Sequence, residues 1–368
     1  MTRLAVAVIG VGHLGKEHAR ILSSMAEVEL VGVVDANLAQ AKLVAERCGT
    51  QAFGDHRLLP TNVQAAIIAA PTVCHHSVAR DLLQRRIALL VEKPLASSFA
   101  LAQDLVSLAS ARQTLLQVGH IERFNPAFEE LLEHPLRPCY ISATRCGGFT
   151  GRSTDVGVVF DVMIHDLDLI LALTQSPVER VEALGASVLG GHEDMAQARI
   201  TFANGCIADL SASRVHPEPV RQMRLWGAEG YASIDFATRK LKLMQPSEEL
   251  RNRQIDSRRL EPALLDSLKT EMFSRFIQSV EIDCNTRHSR DQLTREVEHF
   301  LDCVRTGTQP RVDGQAGLNA VHLANQVVMS LRQHHWAGKD ESFVGPHQLP
   351  TATGRLFDRQ ATTNRPAA

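Results

Sequence analysis

From the amino end, short apolar runs alternate with segments of helical period: "LAVAVIG" leads into "GKEHARILSSM", and "ELVGVVD" into "LAQAKLVAERCG". That alternation predicts βαβ units. Further on, "AAIIAAP", "ALLVEKP" and "TLLQVGH" are unbroken apolar runs closed by turn or polar residues. Such runs fit parallel strands buried on both faces. "HSVARDLLQRR" and "SSFALAQDLVSLASA" supply helices between them, the second with Ser97 or Ser98 as its cap. The sum is a doubly wound α/β domain with a parallel sheet over residues 1–121.

Beyond this point the period changes. "QARITFANGCIADLSASR" and "RQMRLWGAEGYASIDF" alternate apolar and polar positions, and "ANG" and "AEG" read as hairpin turns, so the stretch from about 178 to 243 predicts antiparallel strands. Helices are expected over 264–282, 291–306 and 315–333. Residues 122–344 therefore form an α+β domain, and the polar stretch 345–368, rich in Pro, Thr and Arg, is expected to be a mobile tail or a partner-contacting arm.

One segment between the two patterns is unusual. In "VFDVMIHDLDLIL", Val159 to Leu171, a helix places Phe160, Ile164, Leu167 and Leu171 on one face, with Met163 and Ile170 beside them, and Val162 and Leu169 opposite. An all-round apolar helix is a buried one, yet Asp161, His165 and Asp168 share a narrow stripe on it, with Asp166 off the stripe. Buried carboxylates need partners. A structural polar network, a metal site built from Asp161, His165 and Asp168, and an acid/base site all satisfy that need.

Composition narrows the field. With 39 Lys plus Arg against 41 Asp plus Glu, the formal charge of -2 provides no global attraction for nucleic acid or an anionic membrane. Seven cysteines without a CxxC pair fit neither a disulfide framework nor a structural zinc site and point to a reducing compartment. With no run of about 18 apolar residues and no secretory pattern at the amino end, a cytoplasmic protein is expected.

The first strand runs into "GVGHLG", which spaces Gly10, Gly12 and Gly15 as G-x-G-x-x-G around His13 and Leu14. Gly10 permits a tight turn, Gly12 admits a pyrophosphate to the helix start, and Gly15 allows the helix to pack on the strand. Asp35 ends the second strand, where a carboxylate binds ribose hydroxyls and repels a 2'-phosphate, so NAD is expected rather than NADP. At the other strand ends stand Pro71, Thr72 and His75, then Glu92, Lys93 and Pro94, then His120, Arg123 and Asn125. Ligands in open α/β sheets bind at these carboxyl ends. Lys93 is placed toward the nicotinamide, although a Glu-Lys dipeptide also fits a solvated surface turn.

The glycine turn, "EKP", and then "DVMIHDLD" after a change of domain together resemble the glucose-fructose oxidoreductase, inositol dehydrogenase and MocA family of dehydrogenases. The resemblance spans most of the chain. It implies a Rossmann domain followed by an α+β domain with an open, mainly antiparallel sheet that covers the site, and a homodimer or homotetramer. The family lysine corresponds to Lys93, and its Asp and His four residues apart correspond to Asp161 and His165; where family members commonly carry Gly, this chain has Met163. "QVGHIERFNPAF" with "VMIHDLDL" looks most like the bacterial UDP-N-acetylglucosamine 3-dehydrogenases, whose 3-keto products are aminated for lipid A precursors. On that basis His165 is the expected base, Asp161 its orienting carboxylate, and Lys93 the group that stabilises charge on oxygen. Asp168 is assigned a supporting position. The substrate is expected to meet Lys93, His120, Arg123, Asn125 and His165, with Arg145, Arg152 and Ser153 of "RCGGFTGRSTD" at a diphosphate. A free-sugar or inositol dehydrogenase, or a non-catalytic NAD-binding regulator, remains the alternative.

Overall fold

The computed structural model describes residues 3–151, 155–189, 191–252 and 260–333. Arg152, Ser153 and the tail 345–368 lie outside them. The first domain runs β1 (Leu4–Ile9), α1 (His13–Ser23), β2 (Val28–Val34), α2 (Leu38–Cys48), β3 (Ala52–Phe53), β4 (Ala65–Ile68), α3 (Thr72–Gln84), β5 (Ala88–Glu92), α4 (Phe99–Arg112) and β6 (Leu116–Gly119). Its six strands are all parallel, in the order β3-β2-β1-β4-β5-β6. That order reverses direction between β1 and β4, which opens a crevice above their carboxyl ends. The Ser98 side chain accepts from Leu101 N and caps α4, while Asn37 caps α2 in the same way.

The second domain continues with α5 (Pro126–Leu132), β7 (Pro138–Cys146), α6 (Ile164–Thr174), β8 (Val178–Ala186), β9 (Met195–Phe202), β10 (Ile207–Ser213), β11 (Val220–Gly227), β12 (Gly230–Asp235) and β13 (Lys240–Pro246). After α7 (Glu248–Asn252) come α8 (Pro262–Glu271), β14 (Ile277–Asp283), α9 (Gln292–Thr306) and α10 (Gly314–Gln333). Eight strands form one sheet in the order β14-β13-β12-β11-β7-β10-β9-β8, antiparallel throughout except for β10 with β7. One face is apolar: Ala196, Ala198, Ile200 and Phe202 of β9, with Met223 and Leu225 of β11, pack toward α6 and α10. The other face is open, and on it exposed Trp226 lies between Tyr140, whose ring is tilted to it, and Tyr231, which meets it edge-on.

Two expectations are corrected. The segment at 264–282 is not one helix. It is α8, a π turn over Met272–Phe276, and then strand β14, which pairs along the edge of the sheet with β13. Its periodicity suits a helix, but an unpaired β13 edge offers seven residues of ladder, and tertiary pairing overrides local preference. Nor is Val159–Leu171 a uniform helix: Val159–Met163 is a π turn, and α6 proper begins at Ile164.

The last two helices return to the first domain. Val297, Phe300 and Leu301 of α9 join Leu4, Val6 and Val8 of β1 in one buried cluster. Gly314 and Gly317 bring α10 against β6, where a Cβ at Gly317 would lie 2.5 Å from the Val118 side chain. Val118 N donates to Val312 O at 2.9 Å. Phe300→Ala is expected to cost about 3–5 kcal/mol of stability, measured by urea unfolding. A loss below 1 kcal/mol would show that α9 is not part of this core.

Candidate active site

The cradle begins where β1 turns into α1. Gly10 N donates to Val34 O at 2.8 Å, with φ +81°, and a Cβ there would lie 2.6 Å from the Ala70 backbone. A Cβ at Gly15 would lie 1.8 Å from Gly10 O, so only glycine permits this helix start to close on the strand. At Gly12 a Cβ would meet nothing within 4 Å. Gly12, His13 and Leu14 are exposed, and no side chain caps α1. Its first-turn N–H groups are therefore free to meet a pyrophosphate. Asp35 takes Val11 N on Oδ2 and Asn37 N on Oδ1, both at 2.9 Å. Those two backbone donors aim the carboxylate at the crevice, where lone pairs remain for ribose hydroxyls. The residues present thus fit NAD.

Two of the expected cofactor contacts are supports instead. His75 is buried, with Nδ1 2.8 Å from Pro94 O and Nε2 2.8 Å from Ala70 O, so both nitrogens are turned to backbone carbonyls and tie α3 to two strand-end turns. Burial pushes its pKa down. Glu92 lies 2.7 Å from His18 Nε2, buried beneath α1 rather than facing the crevice. Below it Glu296 of α9 is fully buried with no partner on either oxygen, and burial, reinforced by the Glu92 charge, pushes its pKa well up. Pro71 is exposed at the rim, Thr72 is buried in the first turn of α3, and Pro94 is buried behind Lys93.

Lys93 itself bridges the domains. Its Nζ donates to Asp161 O at 2.6 Å and to Asp161 Oδ1 at 3.0 Å. An ammonium has three N–H donors, so one remains. The expectation that Asp161 orients His165 is corrected here, because its carboxylate is held by Lys93. The π turn is the reason: winding wider than an α-helix swings Asp161 out of the α-helical stripe.

His165 is partly exposed, yet its Nδ1 is sealed without a partner, leaving Nε2 as the nitrogen that reaches the crevice. Burial first, then the charges of Lys93 and Arg145, drive its pKa well below the usual imidazole value. His120 at the end of β6 is buried, and neither ring nitrogen has a partner. Burial lowers its pKa as well, in the field of Asp168, Arg123 and Lys93. Lys93, His120 and His165 thus come together.

Three other expected substrate contacts do not. Arg145 is the penultimate residue of β7, not part of a loop, and it is buried: Nε and Nη2 hold Asp166, and Nη1 holds Glu122 at 2.6 Å. Burial works to lower its pKa, but the two carboxylates outweigh this and raise it; burial lifts Asp166 in spite of the pairing. Arg123 spends Nε and Nη2 on Asp168, at 2.6 and 3.0 Å. Asn125 caps α5 through Ala127 N and donates to Glu122 and to Phe236 O. Asp161 and Asp168, proposed with His165 as metal ligands, are each neutralised by a different cation. Sequence reasoning missed Arg221 of β11, whose charge also acts on His165. Its signal was present: a polar residue at an inward position of a strand.

An uncapped helix start facing a carboxylate suits a dinucleotide, and proton-transfer groups on the same rim suit hydride chemistry at an alcohol, which makes this an NAD-dependent oxidoreductase. More particularly, the chain belongs to the GFO/IDH/MocA family: residues 4–120 match its NAD-binding Rossmann domain and 142–233 its C-terminal domain. It is 34% identical over 328 residues to UDP-N-acetylglucosamine 3-dehydrogenase of Acidithiobacillus ferrooxidans, covering 89% of this chain and 97% of that one. A solved structure of that enzyme superposes with a TM-score of 0.78, covering 90% of this chain and 99% of the other. The scyllo-inositol 2-dehydrogenase (NAD(+)) of Bacillus subtilis is 27% identical, covering 83% and 87% of the two chains. Levoglucosan dehydrogenase in complex with NADH and L-sorbose shares the fold, with a TM-score of 0.76 at 18% identity over 90% and 98% of the two chains.

Because Arg145 is internally saturated, its loss strands two buried carboxylates. Arg145→Met is expected to lower stability by about 3–5 kcal/mol in chemical denaturation. Retained stability with weakened substrate binding would instead restore Arg145 as a ligand.

Proposed function

We propose that this protein oxidises the 3-hydroxyl of UDP-N-acetylglucosamine to the ketone with NAD, a step that precedes amination toward lipid A precursors. The observation that carries the chemistry is the Lys93–Asp161 contact at the carboxyl rim of the first sheet, with the open Nε2 of His165 beside it. The nearly full-length likeness to an enzyme named for this sugar nucleotide supports the substrate over a free polyol.

Bound NAD supplies a hydride acceptor. His165 takes the hydroxyl proton on Nε2, and its depressed basicity keeps the imidazole unprotonated and receptive at neutral pH. The third donor of Lys93 meets the substrate oxygen and stabilises the negative charge that develops on it. Asp161 fixes the direction of that ammonium. His120, adjacent to both and without an internal partner, is a hydrogen-bonding contact for the sugar. His13 and Leu14 flank the pyrophosphate.

We place the protein in the cytoplasm, acting on a small molecule without nucleic acid or membrane. Seven free thiols and a formal charge of -2 support this, and no helix among the described residues is long and apolar enough to cross a membrane. The aromatic cluster on the open face of the second sheet supports a homodimer or homotetramer.

Incubation with NAD and UDP-N-acetylglucosamine, beside free glucose and inositol, is expected to yield NADH with the sugar nucleotide; activity on the free polyols alone rejects this substrate. His165→Ala should reduce turnover by about a hundredfold or more while leaving NAD affinity intact. Since burial favours neutral His165, kcat/KM should hold its neutral-pH value on acidification past about 6.5, the ordinary imidazole value, and fall only below it. A midpoint at or above that value excludes His165 as the base.

A further inference from the structure

The sugar-nucleotide reading requires an anion site near the reacting carbon, and the arginines expected to form it are either spent on carboxylates or outside the described residues. Strand β11 holds another. Along it, Met223 and Leu225 are buried against the helices, while Arg224 and Trp226 are exposed on the open face. Arg221 shares the parity of Met223, so it projects to the helix side of the sheet. In the antiparallel ladder it lies directly opposite Arg145, whose guanidinium grips Asp166, the neighbour of His165. Directly opposed residues point to the same face, with Cβ atoms about 5 Å apart.

The two arginines differ in what surrounds them. Arg145 is buried between two carboxylates. Arg221 is exposed, at the strand end that opens beside Gly147, and among the described residues its guanidinium has no hydrogen bond and no ion pair. Left without a direct partner, its guanidinium fork is available to a bound anion. Its charge acts on both His165 and Asp166, in keeping with its place on the helix side of the sheet.

We propose that Arg221 forms the diphosphate subsite of the substrate pocket, its guanidinium fork engaging phosphate oxygens while the sugar ring extends toward His165 and Lys93. The inference rests on the sugar-nucleotide reading above. A fork presents parallel N–H donors matched to phosphate oxygens, and the charge assistance makes such bonds about twice as strong as neutral ones. Because the diphosphate does not react, the subsite positions the substrate and sets its class.

The test is calorimetric titration of UDP, and of uridine as the phosphate-free control, into the NAD-loaded wild type, Arg221→Gln and Arg221→Lys. Wild type is expected to bind UDP. Arg221→Gln should weaken UDP by about tenfold or more, and Arg221→Lys, which keeps the charge without the fork, should recover part of the loss. Uridine affinity should not change. The thermal midpoint and NAD affinity report that each variant is folded. UDP binding to Arg221→Gln as tight as to wild type overturns the role of Arg221 and leaves the sugar-nucleotide reading standing. Absence of UDP binding to wild type overturns both.

Discussion

The arrangement depends on one contact, the ammonium of Lys93 held by the carbonyl and carboxylate of Asp161. It joins the end of a strand in the cofactor domain to the π turn that opens the central helix of the other domain. The same helix is keyed in two further places, by Asp166 to Arg145 in the second sheet and by Asp168 to Arg123 beyond β6. Each acid answers a cation on a different element. Removing either partner of the buried Arg145–Asp166 pair leaves an uncompensated charge, and together the three contacts hold the rotation and height of the helix. His165 is the polar residue of the segment left without one, and its free nitrogen faces the crevice.

The charges that first look like a defect of "VFDVMIHDLDLIL" are thus divided between architecture and chemistry. Asp166, which lies off the expected stripe, makes the most completely buried pair, while Asp161, expected to serve the histidine, serves the lysine. Electrostatics follow the same division. Around His165 the nearby charges are largely cations, and with burial they favour a neutral imidazole; beneath the cofactor turn Glu92 and Glu296 share one buried layer with His18.

Much of this was legible in the residues. The alternation of strands and helices, the glycine turn with Asp35, the cap at Ser98 and the glycine hairpins all depend on interactions within a few residues, and sequence patterns report those well. Gly205 and Gly230 both carry positive φ, as those hairpins require. What escaped depends on distant partners. Nothing in "RCGG" shows that Arg145 is a strand residue locked by Asp166 and Glu122, and nothing in "FIQSVEI" shows that an unpaired edge will recruit it as a strand. A π turn adds a single residue to one turn, too small a change for a periodicity to register. Arg221 was visible as an inward polar residue, but its lack of a counter-charge appears only when its neighbours are known.

The return of α9 and α10 to the first sheet has a consequence for how the chain is made. Domains emerge from the ribosome amino end first. The cluster of β1, α1 and α2 that Phe300 and Val297 complete is synthesised early, and its α9 residues late, after most of the second domain. Until then that cluster lacks its α9 side chains, so the cofactor domain reaches its finished packing only when translation has passed α9, and both domains mature as a single unit.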